Sequence, residues 1–227
     1  GGAAGPGGAA GRVTAVPTDV TDAAAVEALV QRPVAERGRV DVVINNAGIV
    51  VAGDTEKMDR ATWEKIVAVN QWGVVHGTQA AYRTMLGQSV GPAGCRGHIV
   101  NTASSAGVMP VPKSVAYAMT KHAVVGLSTS LRAEAADRGV RVSVAIPGLI
   151  DTGIAAAAVN LPGHDYAASM KKVPIGAISA DVAARHLLDG VERNGRLVVF
   201  PPANAAIALA NRLVPGVMEK AIAAQTR

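Results

Sequence analysis

"SVAYAMTKHAVVGLSTSLRAEAADRGVRVSVAIPG", residues 114–148, decides the fold. Its first part reads as one long helix, stopped at Gly139, because glycine accepts the left-handed conformation that closes a helix C-terminus. "VRVSVAI" (140–146) reads as a strand, closed by Pro147-Gly148. Upstream, "HIVNTA" (98–103) reads as another strand, so the helix connects two strands as a βαβ crossover does.

The pattern continues outward. "VDVVI" (40–44) is nearly all apolar, as a strand covered on both faces of a parallel sheet would be. Between it and "HIVNTA", Trp63, Ile66, Val67, Val74, Val75 and Met85 recur at three- and four-residue steps, which predicts a helix from Asp59 to about Leu86. A glycine-rich loop, 87–97, follows. Nearer the start, "RVTAV" (12–16) is a β-branched run that reads as a strand. Thr21 or Asp22 caps a helix that Pro33 interrupts and Gly38 ends. Residues 149–180 read as irregular or short helices, Asp181 to about Asn194 as a helix, and "RLVVF" (196–200) as the last strand. The tail is helical, broken near Pro215-Gly216.

Strands alternating with helices predict an α/β fold: a parallel sheet with helices on both faces. No repeat or linker divides residues 1–227, which read as a single domain with a flexible leading segment (1–11) and a helical tail (201–227). Ligands of such sheets bind beyond the carboxyl ends of the strands, here just after Val16, Ile44, Thr102 and Ile146.

Composition supports a packed, aliphatic interior. The chain is 49% hydrophobic but only 3% aromatic, so Val, Ala, Leu and Ile must fill the core. Net charge is +5, yet Lys171-Lys172 is the only adjacent basic pair, which argues against nucleic-acid binding. One cysteine, Cys95, excludes an intrachain disulfide and fits a reducing, cytoplasmic setting. No signal peptide or transmembrane segment is expected. The histidines at 76, 98, 122, 164 and 186 lack metal-ligand spacing and read as structural or surface residues, so no metal is expected.

Gly5-Pro6-Gly7-Gly8-Ala9-Ala10 imitates the spacing of a phosphate-binding loop. Such a loop needs a strand before it and a helix after it. This stretch is followed by a strand pattern, and reads as a solvated leading segment.

Tyr117 and Lys121 are four apart on the long helix and share a face. A free phenol is a poor base at neutral pH, but a nearby ammonium stabilises the phenolate. Tyr117 then suits proton transfer to a carbonyl or from an alcohol. Ser104, thirteen residues before Tyr117, can donate a hydrogen bond to the substrate oxygen. Each has a plainer reading: an ordinary amphipathic pair, and a turn-forming serine after a strand.

Together the motifs resemble the short-chain dehydrogenase/reductase family. They are "DVTD" (19–22), "NNAG" (45–48), Asn70 in "VNQWG", Ser104 in "NTASSAG", "YAMTK" (117–121) and "PGLIDT" (147–152). None is specific alone; six in the family's order are. The resemblance covers residues 12 to about 200 and implies a Rossmann-like fold, NAD or NADP as cofactor, and hydride transfer between nicotinamide and a secondary alcohol or its ketone. It implies Tyr117 as general acid/base, Lys121 as its partner and a ribose ligand, Ser104 as the substrate-orienting hydroxyl, and Asn70 as support for a proton relay. Asp19 and Val20 would contact adenine, and Asn45, Ala47 and Gly48 would shape the adenosine side. Pro147, Gly148, Ile150 and Thr152 would line the nicotinamide side. A homodimer or homotetramer acting on a small alcohol or carbonyl compound is implied, with the tail as lid, subunit interface or membrane-surface contact.

The chain departs from the family at its beginning. The family opens with a strand, a T-G-x-x-x-G-x-G turn, a helix, a second strand and a second helix. Residues 1–11 leave no room for those roughly sixty residues. The expectation is a fold that is N-terminally incomplete, through truncation or through a partner that supplies the missing part. A non-catalytic fragment or pseudoenzyme of the same fold, unable to hold the cofactor, is therefore the alternative.

Overall fold

The computed structural model describes residues 13–171, 173 and 176–224. The leading segment, Gly5 to Ala10 included, lies outside them.

The first described element is α1 (Ala23–Arg37), then β1 (Val42–Asn45), β2 (Val51–Ala52), α2 (Arg60–Val67), α3 (Gly73–Leu86), β3 (Gly97–Thr102) and α4 (Val115–Glu134). The chain continues through β4 (Val140–Pro147), β5 (Ile150–Asp151), β6 (Val159–Asn160), α5 (Tyr166–Lys171), β7 (Ile178–Ser179), α6 (Ala180–Glu192), β8 (Leu197–Phe200), α7 (Pro202–Leu213) and α8 (Pro215–Ala224). The main sheet is parallel, in the order β1-β3-β4-β8. Alternation along its central strands feeds two cores. Ile99, Val142, Val144 and Ile146 face α3 and α4, while Val100, Ala145, Val198 and Phe200 pack with Ala183 and Val191 of α6. Helices thus cover both faces, as expected.

Local chemistry fixes the element ends. Asp22 caps α1 by accepting from the amides of Ala24 and Ala25, and Gly38, at φ 80°, closes it. The helix runs through Pro33. Gly139, at φ 74°, stops the α4 segment after a short 3₁₀ turn.

Three sequence expectations need correction. First, Val13–Val16 form no strand, and Val13 is 94% exposed. A strand needs a neighbouring edge for its backbone groups, and the described sheet ends at β1. Second, β1 is not covered on both faces. Val43 packs inward, but Val42 and Ile44 are 46% and 41% exposed, because on their face α6 covers β4 and β8 rather than β1. Third, the excursion after β4 contains, beside the short helix α5, three short strands: β5 pairs with β7, and β6 pairs with β2 from the loop after β1, both in parallel. Two-residue strands are too short to show a period of two.

The helix expected from Asp59 to Leu86 also has a feature that periodicity hides. Residues Ala68–Trp72 form a π-helical turn between α2 and α3. Such turns widen the helix locally and often mark functional positions. Asn70 lies in it.

Candidate active site

Parallel strands bring their carboxyl ends to one rim, and four of the predicted residues converge there. β3 ends at Thr102, and Ser104 accepts a 3.2 Å hydrogen bond from the Ala106 amide, opening a 3₁₀ turn. α4 presents Tyr117 and Lys121 one turn apart, both buried. The Lys121 ammonium lies 5.6 Å from the centre of the Tyr117 ring and donates to the Thr102 carbonyl at 2.9 Å.

Asn70 completes the group. Its amide bonds both backbone groups of Ile49, accepting from the N–H at 2.8 Å and donating to the carbonyl at 2.9 Å, and donates to Thr120 Oγ1 at 3.1 Å. The Thr120 hydroxyl in turn donates to the Tyr117 carbonyl. Gly48 sits between these elements: a β-carbon there would lie 3.4 Å from both Asn70 Oδ1 and Lys121 Nζ. The π turn thus delivers an amide that locks the loop after β1 onto α4.

Burial controls the electrostatics. It pushes the Tyr117 phenol up, and a hydrogen bond with Ser104 pulls the other way. Burial holds Lys121 down at about 8.

The other predicted residues are placed as follows. Asp19 is exposed and accepts from the Thr21 amide and hydroxyl, which hold its carboxyl below the usual carboxylate range. The Val20 carbonyl meets His76 Nδ1 at 3.0 Å, and Val20 packs on Gly73, near the start of α3 and close in sequence to Asn70. Asn45 points into the fold, donating to Asn101 and Thr78. A β-carbon on Gly77 would meet Asn45 Oδ1 at 1.9 Å, so only glycine permits this approach. Ala47 is exposed on the rim. Pro147 ends β4, and the Gly148 amide donates to the Phe200 carbonyl. Ile150 packs with the α6 core, away from the Tyr117 cluster, and Thr152 is exposed.

Three residues near the site escaped sequence reading. Tyr166 packs with Val159 and Leu161 against the Tyr117 cluster, and burial together with Tyr117 pushes its phenol up to about 12. On α7, Asn204 lies directly over Gly148, and Asn211 donates to the Val108 carbonyl in the loop after Ser104. Asn204 Nδ2, Asn211 Oδ1 and Thr102 Oγ1 are buried without a hydrogen-bond partner among the described residues. Their only signal in the sequence is position: Tyr166 lies in the excursion 149–180, and Asn204 and Asn211 in the tail that reads as lid, subunit interface or membrane-surface contact.

Among the described residues no three His, Cys, Asp or Glu side chains are placed to hold a metal. His98 is buried against Ser143, and Cys95 is buried and free.

The family profile described as short chain dehydrogenase matches residues 4–160. The chain belongs to the short-chain dehydrogenase family. It is similar to "Probable oxidoreductase EphD" of Mycobacterium tuberculosis, 41% identical over 148 residues, which are 65% of this chain and 24% of that protein. An uncharacterized oxidoreductase of Staphylococcus aureus is 37% identical over 145 residues, 64% of this chain and 60% of its own length. The chain thus matches less than two thirds of either relative. Among solved short-chain dehydrogenases, one from Burkholderia phymatum in complex with NAD superposes with a TM-score of 0.75 at 27% identity, covering 87% of this chain and 74% of that one. Another, from Sphingobium yanoikuyae in complex with NADPH, gives 0.68 at 25% identity, covering 89% and 73%. Among the described residues, no helix is long and apolar enough to cross a membrane.

Proposed function

We propose that this chain carries the catalytic residues of an NAD(P)-dependent oxidoreductase that interconverts a secondary alcohol and its ketone. The observation that carries the reading is the convergence of Ser104, Tyr117, Lys121 and Asn70 at the carboxyl end of β3. The complexes of the neighbouring structures with NAD and NADPH support a nicotinamide, which would supply or accept the hydride.

The residues divide the work by position. Ser104 orients the substrate oxygen toward the Tyr117 phenol. Tyr117 gives its proton to that oxygen during carbonyl reduction and takes it back during alcohol oxidation. Lys121, held at about 8, retains an ammonium at neutral pH and stabilises negative charge on the phenol as the proton moves. Asn70 fixes the loop carrying Gly48 beside that ammonium and supports a proton route to solvent. Val159, Leu161 and Tyr166 place an apolar wall over Tyr117, which fits a substrate with an apolar body. A homo-oligomer and a cytoplasmic location belong to the same proposal.

The test is turnover of NADH or NADPH against a panel of ketones, with Tyr117→Phe as the variant. Loss of turnover by a factor of about 10² to 10⁴ is expected, with cofactor affinity nearly unchanged. Wild-type turnover in that variant would refute the assignment.

A further inference from the structure

At the opposite end of the sheet, three arginines stand without an ion-pair partner among the described residues. Arg132 comes from the last turn of α4, Arg141 from the start of β4, and Arg196 immediately precedes β8. None of the three forms an ion pair among the described residues, where every salt bridge involves other cations. Arg132 spends its donors on oxygens that carry no charge: the Val142 carbonyl, the Asn194 carbonyl at 2.9 Å and Asn194 Oδ1 at 3.0 Å. Asn194 is held at φ 51°, a left-handed conformation uncommon outside glycine, which places both oxygens toward Arg132.

The three guanidinium groups lie within each other's fields. Arg196 and Arg141 both depress Arg132, after burial. Arg141 and Arg132 also act on His98, which burial above all drives down to about 4. Burial keeps His98 neutral, and the Ser143 hydroxyl, which donates to the Gly195 carbonyl, accepts from its Nε2 at 2.8 Å. No acidic group enters either balance.

A cavity of about 280 Å³ opens beside them, lined by Gly94, Arg132, Gly139, Arg141 and Asn194 among others. The Arg141 guanidinium reaches its mouth, 3.9 Å from where a β-carbon on Gly94 would stand. We propose that Arg141 and Arg132, which line this cavity, form a binding site for a doubly charged oxyanion, the phosphate group of a small molecule or free phosphate, with Arg196 on the neighbouring strand adding its charge. Guanidinium forks match the paired oxygens of phosphate, and a dianion removes the mutual repulsion of three unpaired cations. The site lies at the amino end of β4 and the Tyr117 rim at its carboxyl end, roughly 20 Å away along the strand. It is therefore separate from the catalytic residues, and its test needs no activity.

The experiment titrates the protein with inorganic phosphate and, in a second arm, with a nucleoside monophosphate. Ionic strength is matched with sodium chloride, and both calorimetry and thermal unfolding are read. Saturable binding and a rise in Tm beyond that given by chloride are expected. Arg141→Gln should weaken phosphate binding at least tenfold and Arg196→Gln by a smaller factor, and in low salt without phosphate each should unfold at a higher temperature than wild type. Stronger binding of the nucleotide than of phosphate identifies an ester as the ligand; equal binding identifies the free anion. A phosphate response no larger than that of chloride, or one undiminished in the double variant, overturns the proposal.

Discussion

Lys121→Met tests how the site holds its ammonium. Burial lowers the Lys121 pKa from 10.5 to about 8, a penalty on the charged form of about 3 kcal/mol. The sign follows from linkage. The folded protein binds this proton less tightly than the unfolded chain, so between pH 8 and 10.5 the unfolded chain carries more protons and stability rises with pH. Below pH 8 the full penalty is present. Methionine keeps the apolar stem and removes the charge, and so removes this pH dependence. It also leaves the Thr102 carbonyl unpaired, a loss of about 1 to 3 kcal/mol that does not depend on pH. Urea unfolding of both proteins at pH 7, 8.5 and 10, followed by Trp63 and Trp72 fluorescence, gives the stability difference at each pH. Wild type should gain on the variant by about 2 to 3 kcal/mol from pH 7 to pH 10. A difference constant across that range would refute the placement of a buried ammonium beneath Tyr117.

Other outcomes follow from the same geometry. Gly77→Ala should destabilise by about 1 to 3 kcal/mol, because its β-carbon would stand 1.9 Å from Asn45 Oδ1; thermal unfolding reads the loss, and Asn45→Ala in the same chain should recover part of it. His98 should remain neutral in NMR titration down to about pH 4. Its depressed pKa means that the unfolded chain takes up the proton first, so its contribution to stability is lost as pH falls from 6.5 toward 4. Asp59→Ala removes the cap that accepts from the Thr62 amide at the start of α2, and should cost about 1 kcal/mol in urea unfolding.

Much of the site was legible because its signals are local. Tyr117 and Lys121 are one helical turn apart, and Ser104 follows the strand that leads to them, so spacing alone places them at one rim. Asn70 was legible by motif, but its means of action was not. The π turn that aims its amide at Ile49 and Thr120 leaves no trace in hydrophobic periodicity. Tyr166, Asn204 and Asn211 reach the site through the excursion and the tail, whose courses no short-range pattern specifies.

The sequence by itself determined the alternation of strands and helices, the parallel sheet and the sharing of one face of α4 by Tyr117 and Lys121, since these rest on periods of two and 3.6 residues and on turn chemistry at fixed offsets. Only the tertiary structure decided what depends on neighbours distant in the chain. Val13–Val16 have strand propensity but no adjacent edge, so they do not pair. Val42 and Ile44 are as apolar as buried residues, yet stay half exposed because no helix crosses that face of β1. Arg132, Arg141 and Arg196 read as scattered single charges, and become a cluster because parallel strands bring all their amino ends to one side. Propensity states what a residue can do; which partner lies within reach decides what it does.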